Sequence, residues 1–349
     1  MTNPPSQLQL IVTPGPKSYA LLDTGNGRKL ERFGAVVVDR PEPQAMWSPG
    51  LPRADWAKAN AAFSASAEDE EKGRWRIDRP VPEAWPVDVE GATMKLRLAG
   101  LWHLGVFPEQ LPHWQWMVSQ LASPTALSSP VSPQASLRLD VGEVPRRGGV
   151  GASPEEGPPP PPPALRATSP TGGEAKKQKR VLNLFGYTGA ASLIAARTGA
   201  EVVHVDASKK AIAWARENAA ASGLADAPLR WLCEDARKFV AREVRRGRTY
   251  HSILLDPPKF GRGPDGEVWD LFEHLPTMLA DCAKLLAPEG ASLILTAYAI
   301  RASSLALDGL MRETLEPRGG AIESGELALC EASGRRLLGT SLYARWSVP

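Results

Sequence analysis

Only three cysteines occur among the 349 residues, Cys233, Cys282 and Cys330, far apart and with no Cys-x-x-Cys pair or histidine at ligand spacing. That scarcity excludes a disulfide framework and a zinc site, so free thiols and no metal are expected. No stretch approaches the roughly 18 uninterrupted apolar residues that a membrane helix requires. The opening Met-Thr-Asn-Pro-Pro-Ser-Gln has neither a basic and apolar leader nor an Arg-rich amphipathic one, which makes the cytoplasm the expected compartment. Charge of one sign is scarce too: 41 Lys and Arg stand against 39 Asp and Glu, a net charge of +2. Such a balance does not by itself announce nucleic acid, whose non-specific affinity comes from many clustered phosphate contacts. Local basic clusters at Lys176, Lys177, Lys179 and Arg180, and at Arg242, Arg245, Arg246 and Arg248, read first as solvated faces.

Proline, by contrast, is plentiful, at 33 residues, and it is concentrated. From Ser123 to about Lys179 the chain carries repeated Ser-Pro steps, prolines from Pro158 to Pro163 and few large apolar residues. A segment of that kind buries too little surface to offset its ordering entropy, so 123–179 reads as a disordered, partly polyproline II insertion. A spacer is the plain interpretation and a proline-rich signalling ligand the alternative. Residues 1–122 before it form a small β-rich domain, with strands at Leu8 to Val12, Ser18 to Asp23, Ala35 to Val38 and Met94 to Leu98. A short helix is expected at Ala54 to Ala65 and a loop at the acidic Glu68 to Glu71.

After the insertion, over 180–349, strands and helices alternate. Apolar strands at Val181 to Leu184, Val202 to Val205, Leu229 to Cys233, Ser252 to Leu255 and Ser292 to Thr296 are separated by amphipathic runs. Those runs are Ala190 to Arg197, Lys209 to Ser222, Lys238 to Arg246 and Leu271 to Leu286. Continuous apolar strands between helices indicate a parallel sheet covered on both faces, hence an α/β domain. Its end differs: Ala321 to Cys330 and Arg336 to Trp346 read as an antiparallel hairpin closing the sheet edge.

The first strand runs into Phe185, Gly186, Tyr187, Thr188 and Gly189 and then a helix. Glycine suits such a turn because a missing side chain lets backbone N–H groups approach a ligand at a helix N-terminus. An ordinary strand-to-helix turn would use glycine as well. The next strand, however, ends in Asp206, Ala207 and Ser208, the acid lying 17 positions beyond Gly189, a spacing suited to the two hydroxyls of a ribose. A third strand ends in Glu234, Asp235 and Ala236, where an acid can meet an adenine amino group. Each acid alone could be a helix cap; together with the glycine turn they indicate a nucleoside cofactor. The Gly-x-Gly-x-x-Gly fingerprint of dinucleotide sites is missing, whereas S-adenosylmethionine, which has no phosphate, needs only the acids and backbone groups present.

The fourth strand ends in Asp256-Pro257-Pro258-Lys259-Phe260. Two prolines after a buried strand stop pairing and stiffen the loop, holding a carboxylate, a carbonyl and an aromatic ring in one cluster. A flat polar substrate suits that cluster, with Phe260 stacking on a base; a plain Pro-rich turn is the bland alternative. Trp102, Phe107, Trp114 and Trp116 crowd the segment before the insertion, where core packing accounts for most of them and Phe107 has the better claim to a pocket. Arg301 and Ser303 are candidates for the substrate mouth.

With Asn-Leu-Phe-Gly-Tyr-Thr-Gly, Val-Asp-Ala-Ser-Lys-Lys-Ala, Asp-Pro-Pro-Lys-Phe and the upstream Gly105-Val106-Phe107-Pro108-Glu109-Gln110, the chain resembles the class I methyltransferases. More narrowly, it is similar to those related to the bacterial large-subunit ribosomal RNA cytosine-C5 and guanine-N7 methyltransferases. The resemblance spans about Tyr19 to Leu121 and Arg180 to Trp346. It implies a Rossmann-like, mostly parallel sheet, S-adenosylmethionine as cofactor and an RNA substrate. By the resemblance, Phe185 to Gly189 form the cofactor loop, Asp206 with Ala207 and Ser208 the ribose site, Asp235 with Ala236 the adenine site, and Asp256 to Phe260 the catalytic loop. Phe107, Glu109 and Gln110, in a lid segment at 101–121, are expected at the methionine end.

One position departs from that pattern. Where cytosine-C5 members end their fifth strand with a nucleophilic Cys, this chain reads Thr296-Ala297-Tyr298-Ala299. Without a thiolate the C5 carbon stays inert, so direct in-line transfer to a nucleobase nitrogen, with Asp256 as acceptor and without a covalent intermediate, is the expected chemistry. Lys259 reads equally as a phosphate contact and as a solvent-facing side chain. Methylation of a small molecule or protein, or RNA binding without catalysis, are the alternatives.

Overall fold

In the computed structural model, residues 7–65, 73–99, 102–122, 178–298 and 300–349 are described. The insertion over 123–177, the acidic run at Glu68 to Glu71, Leu101, Ala299, Lys176 and Lys177 lie outside them.

The chain opens with β1 (Gln9–Thr13), β2 (Tyr19–Gly25), β3 (Arg28–Phe33), β4 (Val36–Pro41), the one-turn α1 (Arg53–Trp56), β5 (Ala61–Ala65), β6 (Gly73–Ile77), β7 (Trp85–Val89), β8 (Ala92–Leu96) and α2 (Leu111–Leu121). Strands β2 to β6 form a five-stranded sheet in chain order, and β7 and β8 a separate hairpin. The expected helix from Ala54 to Ala65 is thus confined to α1. Helix propensity in that Ala-rich run yields to pairing, because Asn60 bridges to Val37 through both its backbone N–H and its Oδ1, and Val38 and Asp39 pair with Ala61 and Ala62.

There follow β9 (Arg180–Leu184), α3 (Ala190–Arg197), β10 (Glu201–Asp206), α4 (Lys209–Ala221), β11 (Leu229–Cys233), α5 (Ala236–Arg245), β12 (Ser252–Leu255), the short β13 (Phe260–Arg262) and β14 (Val268–Asp270), α6 (Leu271–Lys284), β15 (Ala291–Tyr298), α7 (Ser304–Leu315), β16 (Ala321–Cys330) and β17 (Leu337–Val348). The expected α/β alternation is present throughout this half. Its strands make one sheet in the order β1-β16-β17-β15-β12-β9-β10-β11. Pairing is parallel from β11 to β15 and antiparallel where β17 meets β15 and β16.

Two expectations are corrected at the far edge. The first strand does not belong to the N-terminal sheet, and the C-terminal hairpin does not close the large one, because β1 pairs parallel to β16 outside it. Gly325 permits that approach: a Cβ there would lie 1.8 Å from the Gln9 carbonyl oxygen.

Because side chains alternate across a strand, β9 sends Val181 into one core and Leu182 and Leu184 into the other. The first core also receives Leu111, Trp114, Met117 and Leu121, one stripe of α2, and much of the N-terminal sheet. The N-terminal half is hydrogen-bonded to α4 as well: Lys95 N–H donates to Asn218 Oδ1 at 2.9 Å and Trp214 Nε1 to the Lys95 carbonyl at 2.6 Å. Consequently the wall built by β3, β4 and the segment before α2 stands over the carboxyl ends of β9, β10 and β12. Among the described residues, no helix is long and apolar enough to cross a membrane, and no three His, Cys, Asp or Glu side chains group as a metal site.

Candidate functional site

A cavity of about 920 Å³ opens at those carboxyl ends. In an open α/β sheet, strand tips are where loops diverge and leave a crevice. The loop after β9 forms its floor. Phe185 and Tyr187 both have left-handed backbone, with φ of 57° and 51°, a conformation costly for residues with side chains. Ring packing holds them there, with Phe185 5.0 Å from Trp269, and Tyr187 5.6 Å from Phe107 and 6.0 Å from Trp214. Between them Gly186 has no alternative, since a Cβ would meet the His204 ring at 2.4 Å. That ring is buried and kept neutral, its pKa pushed down to about 3 by burial, and it is fixed through Ser192 to Asn183.

Phe185, Gly186, Tyr187 and Thr188 line the cavity, while Gly189 lies behind them, left-handed at φ 89° and capping α3 against Ala215 and Trp231. Thr188 donates its hydroxyl hydrogen to the Gly105 carbonyl, tying the loop to the upstream segment.

Asp206, Ala207, Ser208, Asp235 and Ala236 line the same cavity. Each Asp206 oxygen accepts one backbone N–H at 2.8 Å, from Tyr187 and from Ser208. A carboxylate offers about four acceptor sites, so two remain. Burial raises its pKa and these two hydrogen bonds oppose the rise. Asp235 is also the cap of α5, accepting from Lys238 N–H at 3.0 Å, so the plain helix-cap role and the cavity position coincide.

Asp256, Pro257, Pro258 and Phe260 close the opposite side, at the tip of β12. Asp206 and Asp256 therefore face one crevice. Burial lifts the Asp256 carboxyl above its ordinary value, and the hydroxyl of Thr296 on β15, donating to Oδ1, pulls it back. The Pro258 carbonyl is held by Trp269 Nε1 at 2.7 Å. Phe260 stands at the mouth, 57% exposed.

Phe107, Glu109 and Gln110 also line the cavity, the last two buried on a single 3-10 turn. Burial pushes the Glu109 carboxyl up to about 7, against the attraction of Lys29. Behind it stand residues that sequence reasoning missed. Lys29 and Arg40 reach the cavity wall from β3 and β4, held by Glu42 at 3.1 Å and Glu31 at 2.6 Å. His103 beside them is neutral, lowered to about 3 by burial and then by those two cations. Thr296 and Tyr298, where the fifth strand ends, complete the wall.

Trp102 and Trp114 line the cavity with Phe107, whereas Trp116 packs under Arg345. Arg301 and Ser303 do not line it, and Ser303 caps α7. In the basic cluster on α5, Arg242 pairs with Glu234 and Arg246 with Glu243. Cys233, Cys282 and Cys330 are free thiols outside the cavity lining.

Residues 171–277 match the family described as conserved hypothetical protein 95. The ribosomal RNA large subunit methyltransferases K/L of Shewanella frigidimarina and of Shewanella baltica strain OS195 are each 38% identical over 127 residues, 36% of this chain. The match spans only 18% of their length. The crystal structure of the SAM-dependent methyltransferase from Agrobacterium tumefaciens is similar over the whole chain and 98% of its own, at 41% identity and a TM-score of 0.79. SMU.776, complexed with SAH, shares the fold at 14% identity and a TM-score of 0.61, over 93% of this chain and 75% of its own.

Proposed function

Since the chain belongs to the S-adenosylmethionine-dependent methyltransferases, we propose that it methylates a ring or exocyclic nitrogen of a nucleobase in RNA, ribosomal RNA foremost, by direct in-line transfer. The observation that carries this reading is the Asp256–Thr296 pair. A carboxylate acceptor faces the crevice, and a hydroxyl stands where carbon-methylating relatives of the resembled group would need a thiolate.

The residues present fit the cofactor. Gly186, which tolerates no Cβ, and the left-handed Phe185 and Tyr187 shape a backbone cradle. The two spare acceptor sites on Asp206 match two ribose hydroxyls, and Asp235 with Ala236 takes the adenine edge. Phe107, Glu109 and Gln110 hold the methionine end. Bound there, S-adenosylmethionine supplies an electrophilic methyl group on a sulfonium.

The chain's own contribution is positioning and proton handling. Asp256 accepts a hydrogen bond or proton from the target nitrogen, freeing its lone pair. Thr296 occupies one of the two carboxylate oxygens and leaves the other to the substrate. Pro257 and Pro258 keep the loop from yielding, Phe260 closes on the base at the mouth, and Lys259 contacts phosphate. Holding reactants in line in this way supplies several kcal/mol of the barrier reduction.

The test is nucleoside mass spectrometry of RNA incubated with the purified protein and isotopically labelled S-adenosylmethionine. Label on a nucleobase nitrogen supports the reading. Label on a carbon, or only in protein or small molecules, refutes it.

A further inference from the structure

At the rim of the cavity and continuing outward from it, one surface exposes more apolar area than packing explains. Strands β13 and β14 form a two-stranded hairpin in which Phe260 pairs with Asp270 and Arg262 with Val268. Side chains alternate along a strand and cross-strand partners share a face, so Phe260, Arg262, Val268 and Asp270 occupy one side. Trp269 takes the other side, buried at 3% exposure against Phe185 and His274. The hairpin is anchored from behind: Arg237 donates to the Val268 carbonyl at 2.7 Å, and Lys238 pairs with Glu267. Its outward side nevertheless carries large apolar groups in water, Phe260 at 57% and Val268 at 43% exposure. Phe272, 55% exposed, follows within one turn, its N–H held at 3.0 Å by Asp270, the cross-strand partner of Phe260.

Exposed aromatic rings on an anchored hairpin lower solubility without adding stability, which marks a contact surface. The accompanying charges say what kind. Lys259 and Arg262 are exposed and have no ion-pair partner among the described residues, while Asp270, the acid on this side, is engaged in capping α6 through the Phe272 and Glu273 N–H groups. Flat rings interleaved with unpaired cations match a single polynucleotide strand, whose bases stack and whose phosphates carry the opposite charge. A protein partner would equally accept the apolar groups but gives no reason for two cations flanking them.

We infer that the outer side of the β13–β14 hairpin, with Phe272, is a stacking platform for the single-stranded RNA nucleotides flanking the target base. This rests on the proposed RNA substrate and adds the requirement that the substrate be unpaired beside the target. Lys259 and Arg262 hold the backbone while Phe272 and Val268 receive a base next to the one that Phe260 covers.

The test compares binding of a fluorescein-labelled single-stranded RNA oligonucleotide and of its blunt duplex to the full chain and to the variants Phe272→Ala, Phe272→Trp and Arg262→Gln. Affinity for S-adenosylmethionine is measured in parallel to show that each variant is folded. The expected results are single-strand affinity about tenfold weaker or worse in Phe272→Ala and regained in Phe272→Trp, with the weak duplex binding unmoved. In Arg262→Gln the dependence of affinity on salt becomes shallower by about one phosphate contact. If the wild type methylates RNA but binds the oligonucleotide no better than Phe272→Ala does, the platform is wrong and a protein partner becomes the occupant. If the wild type binds the cofactor but neither form of RNA, the RNA reading itself fails along with the platform.

Discussion

The two walls of the cavity are built by different means. On one side lie the strand tips of the large sheet, where Gly186, Asp206, Asp235 and Asp256 follow directly from strands a few residues long. On the other stand Lys29 and Arg40, brought together from β3 and β4 by buried ion pairs, with His103 and Glu109 from the segment before α2. The first wall depends on local backbone geometry and the second on long-range electrostatics. Changes in the two should therefore fail differently, in cofactor binding or methyl transfer for the first and in folding or pH response for the second.

The largest effect is expected on the electrostatic wall. Arg40→Met removes the ion-pair partner of Glu31, a fully buried carboxylate left, among the described residues, with the Tyr19 hydroxyl at 2.8 Å and the more distant charge of Lys29. Breaking a buried pair from one side costs roughly 3–5 kcal/mol, so a marked fall in thermal midpoint is expected. A midpoint within a degree of wild type would mean that this wall is not held by its ion pairs. On the other wall, Gly186→Ala drives a methyl group into His204 and displaces the loop. Calorimetry should show affinity for S-adenosylmethionine reduced more than tenfold while the protein stays folded.

Thr296→Val sharpens the comparison at the reaction centre. The hydroxyl lowers the pKa of Asp256, which burial raises, so its loss moves the acid limb of the kcat profile to higher pH. At a pH on that limb kcat should fall with the fraction of ionised Asp256, with Thr296→Ser restoring both rate and profile. An unshifted limb in Thr296→Val would remove Thr296 from the account.

The smallest effect belongs to Glu109, whose pKa burial raises to about 7. The sulfonium and the ammonium at the methionine end favour its ionised form, so affinity for S-adenosylmethionine should rise severalfold as pH increases through 7, and less for the thioether product, which keeps only the ammonium. Glu109→Gln should abolish that dependence. The same group affects folding with the opposite sign. With its folded pKa above the unfolded value, Glu109 favours the fold below about pH 4.5, and that contribution is lost as pH rises through 7. Accordingly Glu109→Gln should melt higher than wild type at pH 8, and equal melting curves there would contradict the raised pKa.

How much of this could be seen in the chain alone follows the same division. Asp206 and Asp256 were legible because one ends and the other directly follows an apolar strand, and position along a strand determines which edge its end reaches. Gly189 was legible as a turn residue, but that it backs the loop instead of lining the cavity depends on Ala215 and Trp231, which arrive from α4 and β11. Lys29 and Arg40 carry no signal in the sequence, since nothing within β3 or β4 announces partners at Glu42 and Glu31 until register places them together. The placement of β1 was hidden for the same reason: its partner Gly325 is more than 300 residues away. Ala61 to Ala65 misled because alanine favours helix locally and the strand is imposed by β4 and β6.

The division of labour between the acids is the central claim, and one paired measurement addresses it. Calorimetric affinity for S-adenosylmethionine and the rate of methyl transfer to RNA are determined for Asp206→Ala and Asp256→Ala beside the wild type. Asp206→Ala should lose at least tenfold in cofactor affinity, whereas Asp256→Ala should bind the cofactor within about twofold of wild type and transfer essentially nothing. Equal loss of binding in both variants, or undiminished transfer by Asp256→Ala, would contradict the account.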